Sequence, residues 1–296
     1  MSRSSTPDDE STIGAAVAEA SATSGTAADI GAEVPPQQLI FSVFGLFSAR
    51  HRDTWLSSAA IVRLATALGI QEPLTRSAIS RMKRRGYLTS RKVEGQAGYE
   101  LSASSVRILA DGDNHVYGRP RARAEDSWIV VGFSVPESRR ERRHQIRTAL
   151  IRLGFGTVSP GMWIAPGHVD AEVRGTLRRL GVTEFVDVFR ADYLAFGDPR
   201  DKVASWWDLD ALTGMYDVFV ERFGTLAEHL GDLTAEQAFA AYVPMLTTWR
   251  RLPYLDPGLP LALLPDPWAG SVAEELFRRL DRHLRADAEE FAFGHL

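Results

Sequence analysis

The sequence predicts an α+β multidomain protein, with an N-terminal winged helix-turn-helix, a central ferredoxin-like βαββαβ domain and a C-terminal all-α domain. Three observations predict it. A basic amphipathic helix lies between an apolar helix and a short hairpin. Strands and helices then alternate in the order βαββαβ, and from residue 205 onward only helical periodicity remains.

The chain opens with a segment rich in Ala, Ser, Thr, Gly and Asp that ends in Pro35-Pro36. Residues 1–36 hold few large apolar groups, so burial does not offset the entropy of ordering them, and a disordered tail is expected. The winged helix-turn-helix domain is expected over 37–111, opening with the apolar helix LIFSVFGLFSA. In WLSSAAIVRLATALGI, Ile61, Leu64, Ala65 and Leu68 recur at helical spacing behind the N-cap candidates Ser57 and Ser58, and Gly69 closes the helix.

A QEP turn then leads into LTRSAISRMKRR, residues 74–85. At about 100° per residue, Leu74, Ala78, Ile79 and Met82 share one arc, while Arg76, Ser77, Ser80, Arg81, Lys83 and Arg84 share the other. A helix that enters the major groove needs that division between a packing face and a donor face. Downstream, residues 87–93 and 98–101 read as two strands around a turn at Glu94-Gly95-Gln96-Ala97, a wing carrying Arg91 and Lys92. The bland alternative is a solvated basic helix on a generic α/β domain.

Residues 112–125 read as a linker in which Arg119, Arg121 and Arg123 either follow DNA phosphates or lie exposed. The central domain, 126–200, begins with the strand Trp128-Ile129-Val130-Val131-Gly132-Phe133-Ser134-Val135, closed by Pro136. A helix over 137–153, a hairpin around Pro160, a helix capped by Asp170 and ended by Gly181, and a strand over 185–189 complete βαββαβ. Residues 201–296 form the helical domain, with helices expected over 209–230, 234–251 and 270–291. Between the last two lies LPYLDPGLPLALLPDPWAG, whose prolines forbid regular helix. It is either a rigid buried loop pinning the helices or the wall of a pocket.

Composition bounds the function. The 296 residues contain no cysteine, so disulfides, thiolate metal sites and cysteine nucleophiles are excluded. No apolar run has membrane-spanning length, no signal peptide is evident, and a cytoplasmic protein without metal or cofactor is expected. The net charge of −4 hides an asymmetry. Residues 50–123 carry 14 basic against 6 acidic side chains, whereas residues 201–296 carry 8 against 16. The positive field is local to the expected DNA-binding domain.

Several separated segments together resemble the phenylacetic-acid degradation repressor family, the PaaX-like transcriptional regulators, over nearly all of residues 37–296. They are LIFSVFGLF; Ser77-Ala78-Ile79-Ser80-Arg81-Met82 with Gly86-Tyr87-Leu88; Gly98-Tyr99-Glu100-Leu101-Ser102; and Trp128-Ile129-Val130-Val131 with Val135-Pro136-Glu137. They continue with Leu153-Gly154-Phe155-Gly156, Gly161-Met162-Trp163-Ile164-Ala165-Pro166, Trp207-Asp208-Leu209, Asp256-Pro257-Gly258-Leu259-Pro260, Leu263-Leu264-Pro265 and Trp268-Ala269-Gly270. The chain departs from the family pattern at Gly45-Leu46 and at Ala269-Gly270, and its acidic N-terminal segment is longer.

The resemblance implies a homodimeric bacterial repressor of an aromatic-acid catabolic operon, released from double-stranded DNA by an aryl-CoA thioester such as phenylacetyl-CoA. A dimer would present two recognition helices to an inverted repeat. Arg76, Ser77, Ser80, Arg81 and Arg84 are the expected groove-facing residues, with Arg81 on a guanine and Lys83, Arg91 and Lys92 on phosphates. An acyl-CoA needs cations beside an apolar slot. Two sets of residues offer them: Arg139 and Arg143 with Arg140, Arg142 and Arg147, and Trp249, Arg250, Tyr254 and Trp268 with Arg251. A solvated helix face and ordinary core packing are the competing explanations of these two sets.

An activator, or a regulator with another acyl-CoA effector, is not separable by sequence. Enzymatic readings fare worse, and no catalytic residue is expected. No Gly-x-Ser-x-Gly, P-loop or HExxH motif occurs. A ferredoxin-like nuclease related to the small CRISPR-associated integrase subunit would carry an acidic residue near the end of its first strand, where this chain reads Phe133-Ser134-Val135.

Overall fold

The computed structural model describes residues 26–50, 55–118, 121–194 and 196–294, with the side chains of 48–50, 111–118, 232 and 254 excepted. Over these residues the chain is a mixed α/β protein with two wholly antiparallel sheets. Most of the tail, 1–25, lies outside the described residues, but its end corrects the expectation of disorder. Helix α1 (Ala27–Gly31) opens with a reciprocal cap between Thr26 and Asp29. Ile30 and Val34, the large apolar groups of this stretch, are buried in the main core. Arg222 and Arg251 hold the segment down by donating to the carbonyls of Ala32 (3.0 Å) and Asp29 (2.7 Å). Burial pushes the Arg251 guanidinium below its usual pKa, against the opposing pull of Asp29.

Helix α2 (Pro36–Arg50) is apolar almost all round because it is covered on more than one side. It packs against α3 (Ser58–Ala67) and the basic helix α4 (Glu72–Arg84), and also against the later helix α10 (Ala235–Trp249). A buried hydrogen bond from Thr247 Oγ1 to Ser42 Oγ, 2.8 Å, ties α2 to α10. Ser57 caps α3 through the Ala60 N–H, and Gly69 ends it at φ 76°.

After α4 come β2 (Leu88–Val93) and β3 (Gln96–Leu101), in full register from Leu88↔Leu101 to Val93↔Gln96. The turn is two residues, Glu94 and Gly95, both at positive φ. That is the tight hairpin whose twist matches its strands, so β3 begins two residues earlier than the sequence suggests. A short strand β1 (Leu56–Ser57) adds to β3, and the Trp55 indole N–H reaches the Arg91 carbonyl at 3.0 Å. The expected linker is corrected as well. Helix α5 (Ala103–Gly118) takes up the first half of the expected 112–125, and Ser102 Oγ accepts the Ser105 N–H at its start.

The second sheet has the order β5-β6-β4-β7, from β4 (Trp128–Phe133), β5 (Gly156–Ser159), β6 (Met162–Pro166) and β7 (Val186–Ala191). Helices α6 (Arg140–Arg152) and α7 (Asp170–Arg179) cover one face, where Ile129, Val131, Ile146, Leu150, Trp163 and Val173 form a separate core. On the other face Trp128 and Ile164 join the main core. Asp170 does not cap α7 as expected. It is the first helical residue, and its carboxylate takes Arg174 and Arg190.

The remaining helices are α8 (Pro199–Trp206), α9 (Leu209–Gly224), α10, α11 (Leu252–Leu255) and α12 (Ala269–Phe293). Sequence periodicity passes over α8, which Asp198 caps through the Arg200 N–H. The proline-rich loop buries Leu259, Leu264 and Trp268. Its Asp256 carboxylate is also buried, and receives Tyr216 Oη (2.8 Å), the Gly258 N–H (2.7 Å) and Arg121 (2.9 Å). Arg121 also donates to the Leu259 carbonyl at 2.8 Å. This guanidinium therefore pins the linker to the loop, which corrects its reading as a phosphate follower. Arg123 is exposed, and Arg119 lies outside the described residues.

Candidate nucleic-acid interface

Helix α4 is fixed by one narrow face. Thr75, Ala78, Ile79 and Met82 are buried, and Tyr87 and Leu88 continue that packing into the hairpin. Leu74, expected among them, stands out in solvent with 52% of its surface exposed. Thr75 replaces it, since its hydroxyl bonds the Gln71 carbonyl (3.3 Å) and leaves the methyl to pack.

The opposite face is cationic. Arg76 is drawn along the helix surface to Glu72 one turn earlier. Arg81 donates to Ser77 Oγ at 2.8 Å. Gln37 on α2, with its amide oxygen turned toward the guanidinium, accepts from Arg81 Nε at 2.6 Å. Ser77, Ser80, Lys83, Arg84 and Arg85 are exposed, and the last three make no ion pair among the described residues. On the hairpin Lys92 is exposed, while Arg91 reaches Glu100 at 2.8 Å. The structure thus brings the expected DNA-facing residues onto one helix and its adjoining hairpin. Glu72, Gln37 and Arg85 are additions that the expected set lacks. Glu72 was legible as the partner four residues before Arg76, but nothing local signals Gln37.

The two expected effector sets are not brought together. Arg139 pairs with Glu184 (2.9 Å) and sits over the Phe185 ring, and Arg143 holds Glu137 (3.1 Å) and the Val135 carbonyl (2.8 Å). Both belong with the core under α6 and α7. Trp249 and Trp268 belong to the main core. Trp249 stacks on Phe277 with centroids 4.6 Å apart, and Trp268 stands edge-on to Tyr216. Arg250 lies against α2, where a Cβ at Gly45 would meet its guanidinium at 3.1 Å. The side chain of Tyr254 lies outside the described ones. The indole N–H groups of Trp249 and Trp268 are buried without a hydrogen-bond partner among the described residues, as is that of Trp163 in the central domain. Among the described residues no group of His, Asp and Glu converges as metal ligands, and no helix is long and apolar enough to cross a membrane.

An exposed cationic helix held by an apolar underside, beside a hairpin, fits a class: a nucleic-acid-binding protein. Three family models match in succession: "PaaX-like protein" over residues 36–105, "PaaX protein central Cas2-like domain" over 121–203, and "PaaX-like protein C-terminal domain" over 207–294. The chain belongs to the PaaX-like family, and is by family a transcription regulator and not an enzyme. It is 28% identical over 246 residues to the transcriptional repressor PaaX of Escherichia coli K12, covering 80% of this chain and 77% of that one. Among solved structures it is similar to the uncharacterized protein Rv0674 from Mycobacterium tuberculosis, with a TM-score of 0.56 and 22% identity over 91% of this chain and all of that one. That likeness concerns the fold alone.

Proposed function

We propose that the chain is a sequence-specific DNA-binding repressor that acts as a homodimer on an inverted repeat and controls an aromatic-acid catabolic operon of the phenylacetate type. In this reading α2, α3, α4 and the β1–β3 sheet make a winged helix-turn-helix, with α4 as recognition helix and β2–β3 as wing. The strand order β5-β6-β4-β7 with both helices on one face supports a ferredoxin-like central domain over about 126–200, followed by a helical domain over 201–296. The N-terminal domain extends from α2 to the end of α5.

The observation that carries the reading is the exposed cationic face of α4, with Lys83, Arg84 and Arg85 unpaired among the described residues, opposite a buried Thr75/Ala78/Ile79/Met82 face. Arg76, Ser77, Ser80, Arg81 and Arg84 address base edges, Arg81 a guanine. Lys83, Arg91 and Lys92 address phosphates. The effector is an aryl-CoA thioester, and Trp249, Arg250, Tyr254 and Trp268 are its favoured residues over Arg139 and Arg143. The engagement of Arg139 with Glu184 and of Arg143 with Glu137 and the Val135 carbonyl supports that choice, since those guanidinium groups already serve the central domain.

Fluorescence anisotropy on the gene's own upstream region, with and without phenylacetyl-CoA and at two salt concentrations, tests the reading. Specific binding that the thioester releases is expected. Specific binding indifferent to it rejects the effector, and no specific binding rejects the DNA reading. Transcription from the bound promoter, with and without the protein, separates repressor from activator.

A further inference from the structure

Among the described residues of α4, Leu74 is the one large apolar side chain left in solvent. The core does not need it, because Thr75, Ala78, Ile79 and Met82 already fill the buried face of the helix. A lone exposed leucine is ordinary on a protein surface. This one sits in the first turn of the helix whose outward face carries the cations, beside Pro73, which stiffens that turn. Residues at the N-terminal end of a recognition helix are among those that meet base edges.

At about 100° per residue, Leu74, Ser77 and Arg81 run along a single flank of α4, and Arg81 is anchored to Ser77 at 2.8 Å. One flank therefore presents an isobutyl group, a hydroxyl and a fixed guanidinium, in that order. The apolar feature on the floor of the major groove is the C5-methyl of thymine, and the strongest acceptor pair for a guanidinium is O6 and N7 of guanine. Seven helical residues span about 10 Å, close to three base-pair steps of about 3.4 Å each.

We propose that Leu74 is a specificity-determining residue that packs on the C5-methyl of a thymine in each half-site, about three base pairs from the guanine addressed by Arg81. This rests on the reading of α4 as the recognition helix.

The test uses the full-length chain and the duplex it selects from a randomised pool. Each thymine is replaced in turn by deoxyuridine, which removes the methyl and leaves pairing intact, and dissociation constants are measured for the wild type, Leu74→Ala and Leu74→Gln. One thymine per half-site is expected to cost the wild type about three- to five-fold when its methyl is lost, as burial of one such carbon implies. Both variants should bind the thymine and deoxyuridine duplexes equally. That thymine should lie about three pairs from a guanine whose 7-deaza replacement weakens the wild type but not Arg81→Ala. The proposal is overturned if no thymine methyl matters to the wild type, or if the variants keep the same thymine-to-deoxyuridine ratio. A chain that enriches no sequence overturns the recognition-helix reading, and this proposal with it.

Discussion

Helices α4 and α6 are both rich in arginine, and the fate of those arginines differs. Around α6 the cations reach to other elements: Arg139 to Glu184, Arg142 to the Leu180 carbonyl at 3.1 Å, and Arg143 to the Val135 carbonyl. These contacts clamp the helix to the end of β4 and to the far end of α7. Arg140, Arg147 and Arg152 are exposed, and no two of the three are adjacent along the helix. On α4 two of the three described cation contacts run along the helix itself, Arg76 to Glu72 and Arg81 to Ser77, and Lys83-Arg84-Arg85 stand together at its end. A charge–charge contact one turn apart is worth only about 0.3–0.5 kcal/mol and is easily exchanged for a phosphate or a base. A guanidinium set on a carbonyl of another element is part of the scaffold. What distinguishes an interface from a scaffold is where the partners of the arginines sit.

The most severe way to break this contrast is to remove the clustered cations. Replacing Lys83, Arg84 and Arg85 together by Ala should lower DNA affinity by about 1,000-fold near 0.1 M salt. The slope of log K against log salt should fall by about two, for Lys83 and Arg85 on phosphates, while the loss of Arg84 relaxes discrimination at a base pair. Anisotropy titrations at four salt concentrations measure both. An unchanged slope would mean that α4 does not lie on DNA.

Arg121 sharpens the contrast from the opposite side, as a cation within a basic stretch that is spent wholly on structure. Its partner Asp256 is buried, so Arg121→Ala removes a charge-assisted contact from a buried carboxylate. About 3 kcal/mol of stability should be lost, read as a drop in urea midpoint, while the folded protein keeps its DNA affinity and salt slope. A loss of slope with no loss of stability would restore the phosphate reading of this residue.

These cases show what the sequence made legible. The alternation along α4, the hairpin and the βαββαβ order rest on periodicities that local sequence carries, and the elements formed close to where those periodicities place them. The exchange of Leu74 for Thr75 was hidden by residue type: at about 100° per residue Thr75 falls within the apolar arc and Leu74 at its edge, but leucine is the more apolar of the two, and the bond to the Gln71 carbonyl is what lets the threonine hydroxyl be buried. Helices α1 and α5 were hidden by small and polar residues, and declare themselves only through the cap at Thr26 and the start at Ser102. The partners of Arg139 and Arg121 lie 45 and 135 residues away, so whether a charge is free cannot be read from its neighbours in the chain.

Arg81→Ala should have a smaller and more selective effect. Removing a bidentate base contact costs about 1–3 kcal/mol at one position of each half-site and relaxes discrimination there, while binding to unrelated DNA barely changes. Competition between the selected duplex and single-base variants of it measures this. Equal weakening on every sequence would move Arg81 from base reading to phosphate contact.

The smallest effect is expected on α6, and it is the one that bears hardest on the contrast. Arg140, Arg147 and Arg152 are as exposed as the cations of α4, so exposure alone predicts the same consequence for both helices. If clustering beside the hairpin is what makes an interface, replacing these three by Ala should leave affinity within about two-fold and the salt slope unchanged. Stability should shift by no more than about 0.5 kcal/mol per site. A slope reduced by one or more would place α6 along the duplex as well. Its clamped arginines would then be holding a second contact surface in position, and the distinction between scaffold and interface would have to be drawn elsewhere.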